Sequence, residues 1–258
     1  MINVYEFEKD GRIELIEPAP AIPDVLREQV DGLWLQEKER RGGSLFDGKI
    51  LSVETLSPGL ITCRLSEYRY LTAQRLRPSL YSDLGVRPLA VTGYLLCRQG
   101  LVLGLRSRVN AQDQGLWEVV PSGGLDLQSL GPAGGGRTGS APSGVDLKLK
   151  ISPVDYLAQV KVELQEEVGL SWDLIDDCQT LCLVEDTDEK VVDIAVRLLA
   201  SRLDFADLLE VHRRSGSGEY EKLMLLPTGA DVNREVALFL ETAPVTTVLL
   251  QRFYLNCS

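Results

Sequence analysis

Hydrophobic and polar residues alternate in several short runs of the chain, a period of two that is typical of β-strands. Ile2–Phe7 and Arg12–Glu17 show this alternation on either side of a turn at residues 9–11 that contains Gly11, which predicts an N-terminal β-hairpin. Two further strands are expected near 50–56 and 60–66, separated by a Ser-Pro-Gly turn. The N-terminal third of the chain is therefore predicted to be rich in strands.

The same alternation continues through the rest of the chain. It predicts strands at 89–97, 101–105, 117–120, 179–184, 191–199 and 224–226. Apolar residues spaced three or four apart predict helices at 23–40, 153–168, 203–213, 232–241 and 245–254. In the first helix, Val25, Leu26, Val30, Leu33 and Trp34 share one side. Because strands and helices do not alternate regularly, we expect an α/β fold of the α+β kind, with a mixed β-sheet sandwiched between helices.

The pattern changes near residue 88, which suggests two parts. We predict an N-terminal αβ extension over 1–87 and a second domain over 88–258. The second domain is interrupted at about 127–150 by an insertion rich in Gly, Pro and Ser, a composition typical of a mobile loop. A length of 258 residues suits one large domain or one domain with a smaller appendage.

Charge and targeting signals narrow the function classes. The net charge of −11 disfavours general nucleic-acid binding, which depends on basic surfaces. A small phosphorylated ligand stays compatible with this charge. No stretch reaches the length of a membrane helix, and the N-terminus lacks the basic-then-apolar order of a secretory signal. We therefore expect no membrane association and a cytoplasmic location.

The cysteine and histidine content excludes several kinds of site. Five cysteines without a Cys-x2-Cys pair argue against a disulfide framework and against a zinc site. The single histidine, His212, is expected on the exposed side of a helix. Because the chain has no other histidine, a Ser/His/Asp or Cys/His catalytic triad is disfavoured. Any chemistry here must rely on carboxylates.

Three carboxylates stand out in the predicted helix at 153–168. Glu163, Glu166 and Glu167 are spaced i, i+3 and i+4, so they share one helix face beside an apolar stripe. Adjacent carboxylates repel one another unless they are solvated or bridged by cations. Mg²⁺ suits such a group because it takes carboxylates, waters and substrate phosphates. A solvated acidic helix face remains the alternative from spacing alone.

Two segments resemble the conserved box of Nudix hydrolases, G-x5-E-x7-R-E-U-x-E-E-x-G-U, where U is apolar. Residues 163–170 (ELQEEVGL) match its second half, and residues 117–126 (WEVVPSGGLD) resemble the strand and Gly-Gly turn that precede it. This chain departs from the pattern in three ways. Val162 replaces the box arginine, which orients a metal-binding glutamate in the family. The spacing between the turn and the helix is expanded, and Asp126 is the nearest counterpart of the early box glutamate.

The resemblance implies roles for particular residues. The expected ligands of Mg²⁺, with Mn²⁺ as an alternative metal, are Glu163, Glu166, Glu167 and the carbonyl of Gly124. The base is expected to be Glu163 or an acid of a later loop, for which Glu219 is the candidate. Arg106, Arg108 and Asp126 are candidates for substrate binding, because guanidinium groups suit phosphate oxygens. Exposed charges at a strand end explain the two arginines equally well.

The implied activity is metal-dependent cleavage of a nucleoside diphosphate linked to another moiety, giving a nucleoside monophosphate and a phosphorylated group. Residues 45–48 (LFDG), 84–86 (LGV) and 106–108 (RSR) faintly resemble a long Nudix branch that hydrolyses UDP-glucose and UDP-galactose. That likeness favours a UDP-sugar substrate. The alternatives are a catalytically impaired Nudix-fold module that binds nucleotides or regulates, and a protein-binding scaffold. The helix containing Trp34 is compatible with a homodimer.

Overall fold

The computed structural model describes residues 1–19, 21–43, 45–108, 113–126, 150–228 and 241–254. Most of the predicted insertion at 127–150 and almost all of the predicted helix at 232–241 lie outside these ranges. Within them, the chain forms two β-sheets and six α-helices. The two sheets pack on a shared hydrophobic core, whose members come from both.

The larger sheet has eight strands within the described residues. They are β1 (Ile2–Tyr5), β5 (Leu89–Cys97), β6 (Gly100–Arg106), β7 (Trp117–Val119), β8 (Ser122–Gly124), β10 (Asp177–Asp186), β11 (Val191–Ala200) and β12 (Tyr220–Pro227). Six of them follow the order β1-β10-β11-β5-β6-β12, while β7 pairs with β6 and β8 with β5. The β11–β5 pair is parallel and the remaining pairs are antiparallel, so the sheet is mixed.

The smaller sheet lies beside the first and has the order β3-β4-β2-β9. Its strands are β2 (Arg12–Glu17), β3 (Lys49–Leu56), β4 (Leu60–Glu67) and β9 (Lys150–Pro153). Strand β2 runs parallel to β4 and antiparallel to β9. The N-terminal segment therefore supplies strands to both sheets, and β9, which follows the predicted insertion, completes the smaller one. The division at residue 87 stays a prediction.

Helices cover both faces of the larger sheet. They are α1 (Asp24–Arg40), α2 (Tyr68–Leu76), α3 (Tyr81–Leu84), α4 (Tyr156–Glu163), α5 (Phe205–Ser215) and α6 (Pro244–Leu249). Val160 of α4 and Leu208 of α5 share a core with Val91 on one face of β5, whereas Leu249 of α6 packs with Tyr94 on the other face. The alternation of β5 thus fills two cores. The expected mixed sheet between helices is confirmed.

The predicted N-terminal hairpin is wrong. Residues 8–11 do turn, because Gly11 N–H donates to the Glu8 carbonyl at 2.8 Å. However, β1 pairs with β10 and β2 pairs with β4, so the two strands enter different sheets. Alternation identifies a strand but not its partner, and here the hydrophobic faces of β1 and β2 are buried in separate places.

The helix predicted at 153–168 begins later and ends differently. Pro153 belongs to β9, and α4 begins after Asp155, whose side chain accepts the Ala158 N–H at 3.2 Å as an N-cap. After Glu163 the chain continues as one π-helical turn, Leu164–Val168, and ends at Gly169 with φ of 80°. Such π turns are common at functional sites, and this one contains Glu166 and Glu167.

Two further expectations concern surface properties. Trp34 is buried within its own chain, where its ring contacts Tyr68 edge-on at 6.4 Å, whereas Val25 of the same helix is exposed. Trp34 is thus not available for a subunit contact, and a homodimer stays a prediction. Of the cysteines in the described ranges, Cys63, Cys97 and Cys182 are buried free thiols and Cys178 is half-buried. Across these ranges, no helix combines the length and apolar character needed to span a membrane.

Candidate active site

Glu163, the last residue of α4, packs against the Gly-Gly turn of β8. A Cβ atom on Gly123 would lie 1.9 Å from Glu163 Oε1, so only glycine leaves room for this carboxylate. Gln159, one turn earlier, donates its Nε2–H to Glu163 Oε1 at 2.7 Å. The two segments that resemble the Nudix box therefore meet in space, although more than thirty residues separate them along the chain.

Burial and neighbouring negative charge both raise the pKa of Glu163. Burial raises this pKa to about 7, and the hydrogen bond from Gln159 opposes the rise. The neighbouring carboxylates of Glu219, Glu166 and Asp126 raise it further. All three were predicted site residues, so the fold brings the predicted carboxylates into one electrostatic group. A cation would relieve the repulsion within that group.

Glu167 lies deeper than Glu163, with a relative exposure of 1%. Its Oε2 accepts the Ser122 N–H at 2.8 Å and contacts Tyr220 Oη at 3.0 Å. Burial raises the pKa of Glu167 well above its ordinary value, and the charges of Glu219 and Glu163 raise it further. Glu167 is therefore held in one orientation by two groups that sequence reasoning did not assign to the site.

Tyr220, the first residue of β12, connects Glu167 to a second buried carboxyl. Its Oη also lies 2.8 Å from Glu118 Oε1, and Glu118 is 7% exposed. One hydroxyl proton cannot serve both carboxylates. Either one of the two carboxyls carries a proton, or a cation must balance the charge. Burial raises the pKa of both Glu118 and Tyr220.

Arg106, at the end of β6, is the cationic partner of this buried network. Its Nη1–H donates to Glu118 Oε1 at 2.7 Å, and its Nη2 lies 3.6 Å from Glu219 Oε1. Burial disfavours the charged guanidinium, but the adjacent Glu118 carboxylate outweighs this effect and raises the Arg106 pKa. Arg106 therefore has carboxylate partners already, and its predicted contact with a substrate phosphate stays a prediction.

Glu219 and Glu166 lie at the edge of the same group. The Glu219 side chain is 38% exposed, and Glu219 directly precedes β12, a strand that begins earlier than the predicted 224–226. Glu166 is exposed, and its carbonyl accepts the Ser217 N–H at 2.8 Å, which ties the π turn to the loop before Glu219. Asp126 is half-buried and is the last described residue before the insertion.

Two basic residues near the motif lie apart from the carboxylates. Arg108 has an exposed side chain, and its backbone N–H donates to Glu221 Oε1 at 3.2 Å. Lys161 places its Nζ 5.0 Å from the centre of the Trp172 ring, a cation–π contact. Lys161 therefore does not replace the arginine that is absent at Val162. In this chain Ser122 and Tyr220 orient Glu167 instead.

His212 is not the exposed helical residue that the sequence suggested. Its ring is half-buried, with Nδ1 at 3.1 Å from the Glu167 carbonyl and Nε2 at 3.3 Å from the Tyr220 carbonyl. Helix α5 packs against the π turn, so the imidazole lies between that turn and the start of β12. The helical periodicity around His212 could not predict its burial, because the π turn and the start of β12 that cover it are distant in sequence.

A cleft of about 660 Å³ opens beside this group. Its wall includes Gly123, Gly124, Arg106, Glu118 and Glu219 at one side. Further along, it is lined by α2 and by acidic residues at the end of β10, in the β10–β11 turn and in β11, namely Asp186, Asp188, Glu189 and Asp193. The cleft thus joins the predicted site to an acidic region that the sequence did not point to.

The oxygen donors near the Gly123–Gly124 turn suit a magnesium ion that also takes waters and substrate phosphates. In the part of the chain that the structure describes, no group of three or more His, Cys, Asp or Glu side chains is positioned to hold a metal. Mg²⁺ does not require such a group, because it commonly takes one or two carboxylates and completes its shell with waters and substrate phosphates. Glu163, Glu166 and the Gly124 carbonyl are oxygen donors of this kind, and the mutual repulsion of the carboxylates suits a cation.

Tyr220, Ser122 and Glu118 are the residues that sequence reasoning missed. Ser122 and Glu118 lie inside the segment that resembles the box, and Tyr220 follows Glu219. The sequence did contain a signal for Glu118, because it is a charged residue within an otherwise apolar strand and a buried carboxylate needs partners. No local pattern distinguishes Tyr220 from an ordinary core aromatic residue.

Comparison with known proteins gives a distant likeness only. No protein-family model matches the sequence, and no curated protein is significantly similar to it. Similar solved structures include the protein DR0079 of Deinococcus radiodurans, with 12% identity and a TM-score of 0.42 over 64% of this chain and 83% of that one. Another is a bifunctional NMN adenylyltransferase/ADP ribose pyrophosphatase of Francisella tularensis, with 10% identity and a TM-score of 0.40 over 72% of this chain and 48% of that one. Likenesses at this level assign neither a family nor an activity.

Proposed function

We propose that this protein is a metal-dependent pyrophosphohydrolase that cleaves a nucleoside diphosphate linked to another moiety. The observation that carries the proposal is the convergence of Glu163, Glu167 and Glu219 beside the Gly123–Gly124 turn. Burial and like charge raise the pKa of both Glu163 and Glu167 there. Such a group gains from a bound cation, and a cation that binds phosphates would bring a diphosphate to the same place.

In the proposed reaction a water oxygen bonds to one phosphorus of the diphosphate. The bridging P–O bond breaks, and the water proton passes to a base, leaving a nucleoside monophosphate and a phosphorylated group. When bound, Mg²⁺ neutralises the charge that develops on the phosphate oxygens. Glu163, Glu166 and the Gly124 carbonyl would hold the ion, with Glu167 as a further ligand. Ser122 and Tyr220 keep Glu167 in place.

Glu219 is our candidate for the base because it lines the cleft and its side chain is 38% exposed. Glu163 remains the second candidate, because its carboxylate lies against the Gly123–Gly124 turn. The two are separated by comparing Glu219→Gln with Glu221→Gln, a neighbouring exposed glutamate. If Glu219 is the base, only the first substitution should lower kcat strongly while leaving KM nearly unchanged.

We further propose a UDP-sugar as substrate, on the faint resemblance of residues 45–48, 84–86 and 106–108 to the UDP-glucose-hydrolysing Nudix branch. A nucleotide-binding or regulatory module without turnover is the second candidate function. Two observations favour it. Val162 occupies the position of the box arginine, and the described carboxylates form no preassembled group of three metal ligands.

A hydrolysis screen with Mg²⁺ and coupled phosphatase detection tests the proposal. The panel is UDP-glucose, UDP-galactose, ADP-ribose, NADH, diadenosine polyphosphates, coenzyme A and free nucleoside triphosphates. Glu167→Gln removes the buried carboxylate, and Glu28→Gln, an exposed residue of α1, serves as the matched control. We expect turnover by the wild type and by Glu28→Gln that Glu167→Gln loses. Binding of a panel nucleotide without turnover would favour the module instead.

A further inference from the structure

Asp193 is a buried carboxyl on β11 that the proposed chemistry does not use. It is 8% exposed, and Thr92 Oγ1 of the adjacent strand β5 donates to its Oδ1 at 2.8 Å. Among the described residues, no cation and no second donor contacts this carboxyl. Buried carboxylates normally have a full set of partners. Because Asp193 lines the cleft, its second oxygen can accept a hydrogen bond from a group bound there.

The cleft supplies the place for such a partner, because Asp193 and Thr92 both line it. Sheet register gives the distance to the proposed reaction centre. Gly124 of β8 pairs with Ala90 of β5, and Ala90 pairs with Asp193 of β11. Two steps between neighbouring strands amount to roughly 10 Å. A substrate whose diphosphate lies at Gly124 would thus extend its nucleoside or sugar part over Asp193.

The charge of this region selects which part of the substrate lies there. Asp186, Asp188 and Glu189 line the cleft near Asp193, while Arg106 lies with Glu118 and Glu219. Arg75, which also lines the cleft, is 3.8 Å from Glu189. Carboxylates repel phosphate oxygens and accept hydrogen bonds from hydroxyl groups. At the Gly123–Gly124 end the proposed metal ion would offset this repulsion. The end near Asp193 has no metal ion in the proposal, so it favours an uncharged part of the substrate that carries hydroxyl donors.

The protonation state agrees with an acceptor role. Burial raises the pKa of Asp193 to about 6, while the Thr92 hydroxyl lowers it and the charges of Glu118, Asp113 and Asp186 raise it. Above that pH the carboxyl is ionised, and a hydroxyl hydrogen bond to a charged acceptor is stronger than one to a neutral acceptor.

We propose that Asp193, held by Thr92, accepts a hydrogen bond from a hydroxyl of the ribose or sugar part of the substrate and so determines specificity. This inference rests on the proposed function. It assigns Asp193 to recognition of the uncharged end, whereas the glutamates beside Gly123 and Gly124 act on the diphosphate.

Steady-state kinetics on UDP-glucose, with UDP as a competitive inhibitor, test the inference. Asp193→Asn keeps the size of the side chain and removes the charged acceptor, and Thr92→Val removes the group that holds it. Asp10→Asn is the control, because Asp10 is an exposed aspartate of the turn before β2 and is not part of the cleft lining. If ADP-ribose proves to be the substrate, ADP takes the place of UDP. Melting temperatures verify that each variant is folded.

We expect Asp193→Asn to raise KM at least about tenfold, with kcat within about twofold, since a hydrogen bond to a charged group is lost. Thr92→Val should change KM in the same direction, and Asp10→Asn should leave KM and kcat unchanged. An unchanged Ki for UDP would assign the hydroxyl to the sugar, and a raised Ki would assign it to the ribose. Wild-type KM in folded Asp193→Asn would overturn this inference alone. Absence of binding and turnover across the whole panel would overturn the proposed function as well.

Discussion

The hydroxyl of Tyr220 lies 3.0 Å from Glu167 Oε2 and so fixes a glutamate of the acidic helix from the first residue of a distant strand. Tyr220→Phe removes this contact and the one to Glu118. Groups that orient metal ligands typically contribute about 10- to 100-fold in activity or metal affinity. We expect a loss of that size in kcat, together with a fall of about 1–3 kcal/mol in the free energy of unfolding. Kinetics and urea unfolding measure the two effects.

Tyr5→Phe is the matched control, because Tyr5 makes an exposed hydrogen bond to Glu185 at 2.8 Å outside the site. It should change neither quantity appreciably. If Tyr220→Phe retained wild-type kcat and wild-type dependence on Mg²⁺, Tyr220 would be an ordinary core residue and Glu167 would need no orientation.

Gly123 and Gly124 offer a matched pair of substitutions. In Gly123→Ala the new Cβ would occupy the position of Glu163 Oε1, whereas no atom lies within 4 Å of a Cβ on Gly124. Because the displaced atoms are the end of a side chain, Gly123→Ala should lower turnover by about 100-fold while stability changes little. Gly124→Ala should retain most activity. Equal activity of the two variants would show that the position of Glu163 is not important for turnover.

Arg106 is predicted to act first as the partner of Glu118. Arg106→Ala leaves a buried carboxylate without its cation, so the free energy of unfolding should fall by about 3–5 kcal/mol. Adding Glu118→Gln removes that charge and should restore part of the loss, which a double-mutant cycle in urea measures. Strictly additive effects would mean that the ion pair contributes little. The folded double variant can then be assayed for a raised KM, which would assign Arg106 a contact with substrate as well.

How far the sequence predicts this fold depends on the range of the interactions. Helix α1 and the strands β3, β4, β5 and β6 follow from local periodicity and nearby turn residues, and all five are confirmed. The pairing of β1 with β10 joins residues almost the whole chain apart, and no local signal encodes it. The predicted start of α4 is too early because Pro153 is compatible with the first turn of a helix. In the structure Pro153 is instead the last residue of β9 and pairs with Glu14 of β2.

In the candidate site, too, local features could be predicted and contacts between distant parts of the chain could not. Spacing placed the three glutamates on one helix face, and the resemblance of residues 163–170 and 117–126 to the Nudix pattern assigned them and the Gly-Gly turn to a site. Their supporting residues could not be predicted, since Tyr220 and His212 reach the π turn only after β12 and α5 have packed. The acidic end of the cleft depends on the register of β11 with β5, which the sequence does not define.

Asp193 also makes stability depend on pH. Its pKa is about 6 in the folded chain against an ordinary value of 3.8, so the folded state binds the proton more tightly than the unfolded state. Stability from this group is therefore full at low pH and is lost as pH rises from about 4 to about 6. The side chain of Asn does not titrate, so Asp193→Asn does not show this decrease in stability. Between pH 4 and pH 7 the free energy of unfolding of Asp193→Asn should rise by on the order of 3 kcal/mol relative to that of the wild type.

Urea unfolding of both proteins across that pH range checks the prediction. The control is Asp188→Asn, whose carboxyl is exposed and whose pKa is lowered by the N-terminal amine. A difference between Asp193→Asn and the wild type that stays constant with pH would mean that the carboxyl has access to water.

The dependence of turnover on Mg²⁺ in wild type and Glu163→Gln tests the central claim most directly. Hydrolysis of the best panel substrate would be followed as Mg²⁺ is added to protein freed of metal with EDTA. We predict no turnover in EDTA, a saturable rise with Mg²⁺, and a loss of orders of magnitude in Glu163→Gln that folds normally. Turnover that persists in EDTA, or that Glu163→Gln retains, would contradict a metal-dependent site built on this carboxylate group.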